Sequence, residues 1–454
     1  MLTYNLQLAW RSLFQRRSLT ILMIAAVGIG LGILMTVRTM AYQARQLPVG
    51  EKSYALHFVQ MDGRGVEGDE FEQWFEGDAI TYRDARMLMN ADTAARRQTF
   101  LWKTDVIVSS ADKDVLPRRS SGMVGLSNFF DMFDAPFLYG STWSEEANDN
   151  AEPVAVISKN YNDYFFGGEN SVGRRLNLGT NTVTVIGVLD DWHINRRYYD
   201  MTFDPAGRDD IYVSDSLARE FNLVRTVQMA CYGGDADHAG DYATNDIQGL
   251  VNSECGWVLF WAELNSAESI QEYKQGIEQH MSAQQKFGRF PREKQTYFLT
   301  NVADHIEIVG QFRGRQAFLQ LMSSLFFAVC LINAIGILLA KFTSKAKEIS
   351  LRRALGAKKT TIMWQHLLEV AIIGILGGIV GLALSYVGLI GMRNIVVYSS
   401  DYTFAAEEIA HAFRLNWVMI GNAFLIAIGS TILVGLYPIW RVCNGKPAEQ
   451  LKAQ

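Results

Sequence analysis

The sequence is poor in the residues and patterns that usually disclose chemistry. Its 454 residues include only four cysteines and eight prolines. No G-x-x-x-x-G-K-[ST] phosphate loop occurs, since "GEKS" and "NGKP" lack the preceding glycine and the strand-turn-helix frame that aims backbone N–H groups at phosphates. There is no G-x-S-x-G nucleophile elbow and no H-E-x-x-H. The seven histidines (His57, His193, His238, His280, His305, His366 and His411) are scattered without metal-ligand spacing. The densest polar cluster, "DDWHINRR" from Asp190 to Arg197, sets His193 beside two acids, as a general base would need. A turn at the end of a strand explains it more simply. The chain therefore reads as a non-catalytic one.

Charge is also missing, and where it is missing sets the class. Four runs (Ser18 to Val37, Ala317 to Ala340, Val370 to Met392 and Leu415 to Trp440) contain no Asp, Glu, Lys or Arg. A helix needs about 20 apolar residues to cross a bilayer core of about 30 Å, so each run is expected to span a membrane. The first follows Arg11, Arg16 and Arg17 as a secretory signal does, but it is long and has no small-residue cleavage site before Arg38, so an uncleaved anchor is expected. The N-terminal segment, residues 341–359 and the tail from Arg441 together carry 13 Lys or Arg against two acids, Glu348 and Glu449. Residues 39–315 hold 41 acids against 26 basic residues. The positive-inside rule then places both termini in the cytoplasm. So acidic a segment is no nucleic-acid binder, because phosphate contacts need clustered Lys and Arg.

The expected fold is a membrane protein of four transmembrane α-helices with a large mixed α/β domain between the first and second. The expected boundaries are a cytoplasmic N-terminal segment 1–17, first span 18–38, outer domain with stalk 39–315, second span 316–340, cytoplasmic helix 341–360, third span 361–392, short outer loop 393–414, fourth span 415–440 and cytoplasmic tail 441–454. Within the outer domain "PVAVIS" reads as a buried strand, followed by a helix "KNYNDYFFG" that ends at Gly167 and Gly168. Gly179-Thr180-Asn181 marks a hairpin. A β-α-β grouping follows: "GWVLFWAEL", a helix opened by Ser266, and "KQTYFLT". From Ala303 no proline interrupts the approach to the second span, so stalk and span are expected as one helix. Cys231 and Cys255 both fall in the outer domain, where a disulfide would close a loop of about 25 residues and stabilise it by about 3 kcal/mol. Two free thiols are the alternative. Asp235, Asp237 and Asp241 in the intervening loop read as solvated acids, because no calcium-loop spacing accompanies them.

Inside the membrane segments, small residues recur at i and i+4: Gly28 and Gly32 in the first, Gly374, Gly377, Gly378 and Gly381 in the third. Such spacing lets helix backbones approach closely, either within one chain or across a dimer. Glu369 in the third span is costly in lipid and is expected near the inner interface or paired with a base from the 341–359 segment.

The stretch "KAKEISLRRALGAKKTTIMWQHLLEVAIIGILGGIVG", Lys345 to Gly381, resembles the signature of the FtsX-like permease domain of ABC transporters. The ending "GLYPIWRVCNGKPAEQL" resembles that family's C-terminus, and "MVGLSNFFDMFDAPFLYGSTW" and "PVAVISKNYNDYFFGGENSVGRRLNLGTNTVTVIGVLDDW" resemble the MacB-like periplasmic core domain. The resemblance implies a permease in the bacterial inner membrane with its large domain in the periplasm. Lys345 to Lys359 would be a coupling helix docking on a separate ATPase: Ala354, Leu355 and Ala357 form an apolar knob, and Arg352, Arg353, Lys358 and Lys359 meet acids, while Glu348 pairs with Arg352 and Gly356 allows the backbone to end or to approach a partner closely. A plain topology anchor would explain the charge but not Ala-Leu-Gly-Ala.

The resemblance also implies partners. It calls for two copies of an ABC ATPase, which hold the ATP and Mg, and a second permease chain, identical or homologous. This chain would carry no cofactor of its own. A periplasmic adaptor and an outer-membrane channel would complete a tripartite efflux system for a peptide, macrolide or similar amphiphile. The alternatives are a lipoprotein-releasing permease and a non-transport regulator of periplasmic wall hydrolases.

Overall fold

A computed structural model describes residues 2–44, 47, 49–63, 79–91, 93–110, 115–192, 198–200, 209–226, 229–231, 247–293, 296–304, 312–399 and 416–444. It divides into two compact units, one formed by residues 1–44 and 314–454, the other by residues 45–313. Most of "DDWHINRR", most of the loop after Cys231, the approach to the second span and the outer loop before the fourth lie outside the described residues. The chain opens with α1 (Leu2–Gln15) and α2 (Arg17–Ala44).

The second unit is mixed α/β. In chain order it contains β1 (Leu56–Met61), β2 (Ile80–Thr81), α3 (Tyr82–Asn90), β3 (Arg97–Ser110), β4 (Arg118–Gly125), α4 (Asn128–Met132), β5 (Phe137–Gly140), α5 (Glu145–Asp149) and β6 (Val154–Ile157). There follow α6 (Lys159–Phe166), β7 (Arg175–Leu178), β8 (Asn181–Leu189), β9 (Ile211–Ser214), α7 (Asp215–Glu220), β10 (Ala230–Cys231), α8 (Ile247–Asn252), β11 (Cys255–Glu263), α9 (Ala267–Gln285) and β12 (Tyr297–Asn301).

Local chemistry starts and stops these elements. Ser158 caps α6 by accepting from the Tyr161 N–H, and Gly167 ends it at a φ of 68°, a left-handed conformation that glycine adopts without a Cβ penalty. Ser266 and Ser269 form a reciprocal capping box at the start of α9.

The strand order is β12-β1-β11-β3-β4-β9-β6-β8-β5, with β2 and β10 added on β11 and β7 pairing both β3 and β8. β7 closes a ring, because β3-β4-β9-β6-β8-β7 returns to β3. A closed ring leaves no free edge, and its apolar residues (Val108, Val124, Leu176, Val185, Ile211 and Val213) are buried in one core. The 14-residue β3 belongs to both halves: its start pairs β11 and its later residues pair β4 and β7.

The grouping expected around α9 differs in one respect. β11 and β12 are not neighbours; β1 lies between them, antiparallel to each. The strand that fills the gap comes from the beginning of the domain, a pairing that local periodicity does not specify.

Cys231 faces Cys255 across the β10-β11 pair, and the two are disulfide-bonded. Near this staple, Asp84 lies buried in the first turn of α3. Arg289 donates to both of its carboxylate oxygens (Nη1 2.8 Å, Nη2 2.7 Å), Thr81 donates its hydroxyl at 2.7 Å, and His280 Nε2 lies 2.8 Å away. Burial by itself would raise this carboxyl, but the contacts from His280, Arg289 and Thr81 outweigh it and hold the group at about 2.

A carboxyl depressed from 3.8 to about 2 contributes stability that is fully present above pH 3.8 and lost as pH falls through 2. The expected loss is about 2 kcal/mol across that window. Acid unfolding of the wild type and of Asp84→Asn, followed by tryptophan fluorescence, checks it: the variant should lack this part of the pH dependence.

The first unit is completed by α10 (Phe312–Thr343), α11 (Ala346–Ala354), α12 (Lys359–Ser399) and α13 (Trp417–Asn444). Among the described residues four segments are long and apolar enough to cross a membrane: Arg17–Gln43, Ala317–Thr343, Lys359–Ile395 and Trp417–Asn444. Their helices run past the charge-free stretches at one end or both, since helical hydrogen bonding continues beyond the last apolar residue.

Candidate coupling segment and helix seams

The tandem glycines of α12 serve two different neighbours. A Cβ on Gly377 would lie 2.8 Å from Val27 Cγ1, and one on Gly381 equally close to Leu31 Cδ2, so both face α2. From the other side, Gly28 meets Val380 and Gly32 meets Leu384 and the Gly381 carbonyl. Gly374 and Gly378 instead face α13, at Thr431 and Phe424. Both seams lie within one chain. Glycines one helical position apart, 377 and 378, point about 100° from each other. This lets α12 hold α2 on one side and α13 on the other.

Between α10 and α12 lies α11, shorter than the helix expected over Lys345 to Lys359. It ends because Gly356 takes a φ of 98°. The Gly356 N–H donates to the Arg353 carbonyl and the Ala357 N–H to the Arg352 carbonyl, each at 3.0 Å, which is the Schellman pattern. Lys359 already belongs to α12.

Glu348 and Arg352 pair at 2.5 Å across one turn of α11. Arg353 donates to the Cys443 carbonyl at 2.9 Å, and Lys359 hydrogen-bonds Asn444, so this region is tied to the end of α13. Leu355, at the turn, is 80% exposed. Ala354, Gly356 and Ala357 beside it are exposed as well.

Glu369 lies inside the bundle, with none of its side chain exposed. Lys341, equally buried, approaches its Oε1 at 2.6 Å and also donates to the Thr20 hydroxyl at 3.1 Å. Lys345 lies 3.6 Å from the same oxygen and hydrogen-bonds Ser12, while His366 Nδ1 stands 3.2 Å from Oε2. Sequence reasoning singled out Glu369 but missed Ser12, Thr20 and His366. Only His366 left a signal, its i, i+3 spacing to Glu369.

In the outer unit an open cleft of about 790 Å³ is lined by Glu51, Lys52, Arg96, Arg97, Asp131 and Glu263 among others. Several of its charges pair with one another, Arg97 with Asp131 at 3.3 Å, Arg96 with Glu263 at 3.4 Å and Lys52 with Asp134. Among the described residues no group of three or more His, Cys, Asp or Glu is placed to hold a metal ion.

Four membrane-length helices among the described residues, with a mixed α/β domain inserted after the first, define a multi-pass membrane protein. The chain belongs to the family of the MacB-like periplasmic core domain, whose model matches residues 20–280. The FtsX-like permease C-terminal model matches residues 321–447. The Macrolide export ATP-binding/permease protein MacB of Syntrophobacter fumaroxidans is 22% identical over 407 residues, 82% of this chain and 52% of that protein. The Pyoverdine export ATP-binding/permease protein PvdT of Pseudomonas aeruginosa is 23% identical over 336 residues, 72% of this chain and 41% of that protein. The chain thus spans about half the length of the curated relatives it matches. The solved periplasmic region of MacB from Actinobacillus actinomycetemcomitans aligns with a TM-score of 0.36 at 14% identity, covering 56% of this chain and 92% of that one.

Proposed function

We propose that the chain is the permease part of a MacB-type ABC transporter, in which α11 and the turn after it dock on an ATPase and carry its ATP-driven movement into the spans. The observation that carries this reading is the α11 turn. A short basic helix, closed by Gly356, holds Leu355 out at 80% exposure between two membrane helices. A leucine held out by a rigid turn and flanked by cations suits an apolar pocket rimmed with acids.

In this reading ATP and Mg belong to the ATPase and this chain supplies no catalytic group. Both termini and α11 lie in the cytoplasm of a cell whose inner membrane the helices span, as the basic bias of those segments favours. Two ATPase copies and a second permease chain complete the pump. The outer domain, joined in sequence to the first and second spans, receives the motion and works with an adaptor and an outer-membrane channel to expel a peptide, macrolide or similar amphiphile. The names of the macrolide and pyoverdine export relatives support this cargo class.

The test is Leu355→Asp, read by co-purification of the ATPase from the native host and by ATP hydrolysis in nanodiscs. Placing a carboxylate at an interface anchor should weaken capture at least about tenfold, with insertion unchanged. Equal capture and equal coupled hydrolysis would refute the docking role.

A further inference from the structure

We propose that Glu369 is a positioning residue for α11: its buried carboxylate is a latch that holds Lys341 firmly and Lys345 loosely, so that α11 shifts by exchanging the Lys345 arm. The inference rests on the reading of α11 as the docking helix and adds how that helix is held at rest.

The argument begins with what burial demands. An uncompensated carboxylate in a membrane bundle is costly, and it persists only when cations and hydrogen bonds surround it. Glu369 draws those partners from several elements: Lys341 from the last turn of α10, Lys345 from the residue before α11, and His366 from its own helix α12. Through the two lysines the network extends to Thr20 of α2 and Ser12 of α1.

The two arms are unequal. Lys341 is wholly buried, with its ammonium 2.6 Å from the carboxylate, whereas Lys345 stands 3.6 Å away with its side chain 11% exposed. Two cations compete for one oxygen, and the nearer holds it. The farther can leave without stranding the acid, because Lys341 still neutralises it and water can reach the departing ammonium.

Lys345 is also the N-cap position of α11, so releasing its ammonium removes the ionic tie at the start of that helix and leaves the packing of Ile349 to hold it. At the other end α11 is held by Arg353 on the Cys443 carbonyl. A pull on Leu355 would therefore break the weaker ionic contact first and turn α11 about its C-terminal tie. The same step would release one tie on α1, whose Ser12 shares Lys345. Two packed arrangements of one charge network make a discrete switch, which is what transmission through a rigid bundle requires.

The experiment is hydrogen exchange with mass spectrometry on the full chain in lipid nanodiscs, without any ATPase. Lys345→Met removes the loose arm and leaves the buried Lys341-Glu369 pair intact, so the bundle should assemble normally. Exchange in residues 344–357 should rise about tenfold, while peptides covering the α12-α13 seam stay protected. Glu369→Gln should loosen the same residues at least as much and extend the effect to the end of α10. Unchanged exchange over 344–357 in Lys345→Met, or an equal rise across the seam, would overturn the latch. Because no ATPase enters this measurement, its failure is distinct from failure of the docking reading, which shows in the Leu355→Asp capture.

Discussion

Arg289→Ala is expected to destabilise the outer domain by about 3–5 kcal/mol, the cost of leaving a buried carboxylate without its cation. Arg289 supplies two of the hydrogen bonds to Asp84, whose side chain is 2% exposed, and its Nε donates to Glu254 at 2.6 Å. Truncation leaves Asp84 with His280 and Thr81. Urea unfolding followed by tryptophan fluorescence would report the loss as a lower midpoint at unchanged slope. The double variant Arg289→Ala with Asp84→Asn should recover much of it, since the amide is no longer an unpaired charge. If the single variant loses less than about 1 kcal/mol, the figure for an ordinary neutral hydrogen bond, the buried ion pair does not hold this corner of the domain.

The second large effect is expected in the membrane unit. A Cβ at Gly374 would lie 2.3 Å from Thr431 Oγ1 and 3.1 Å from the Ala427 carbonyl, so Gly374→Leu must push α13 away from α12. Thr431 has little room to yield, since it is 3% exposed and its hydroxyl donates to Ala427 of its own helix at 2.7 Å. Overpacking of this kind costs about 1–3 kcal/mol where side chains can adjust and more where backbone must move. The expected loss is therefore about 3 kcal/mol or above, read as a lowered midpoint in detergent unfolding. Gly391→Leu is the control on the same helix. A Cβ there meets nothing within 4 Å, and its change should stay within about 0.5 kcal/mol. Equal loss in both variants would show that the helix tolerates no leucine, whatever its face, and would remove the seam as the cause.

How much of this was legible beforehand varies with the range of the interaction. The α6 boundaries follow from Ser158 and Gly167, which act on their own backbone, and the α9 start from Ser266 and Ser269. The four apolar spans were equally plain, because lipid imposes length and the absence of charge on each helix separately. The β1 strand between β11 and β12 was not legible. It pairs residues about 200 positions apart, and strand partners at that range leave no local mark. α11 is shorter than its basic run suggests, because that run continues past it and only the φ of Gly356 shows where the helix stops before α12 begins.

By itself, then, the sequence determined the four spans, the position of the large domain after the first of them, and the kinship carried by the Ala-Leu-Gly-Ala segment. Each is written in consecutive residues, as a run without charge, a composition shift or a motif. Tertiary structure alone decided which glycine faces which helix, how β7 closes the ring and which lysine holds Glu369. A Gly-x-x-x-Gly pair states that something comes close without naming it, and a buried carboxylate states that it needs a cation. The partner in each case is set by packing between segments distant in the chain, through side-chain volume and the cost of an unpaired charge.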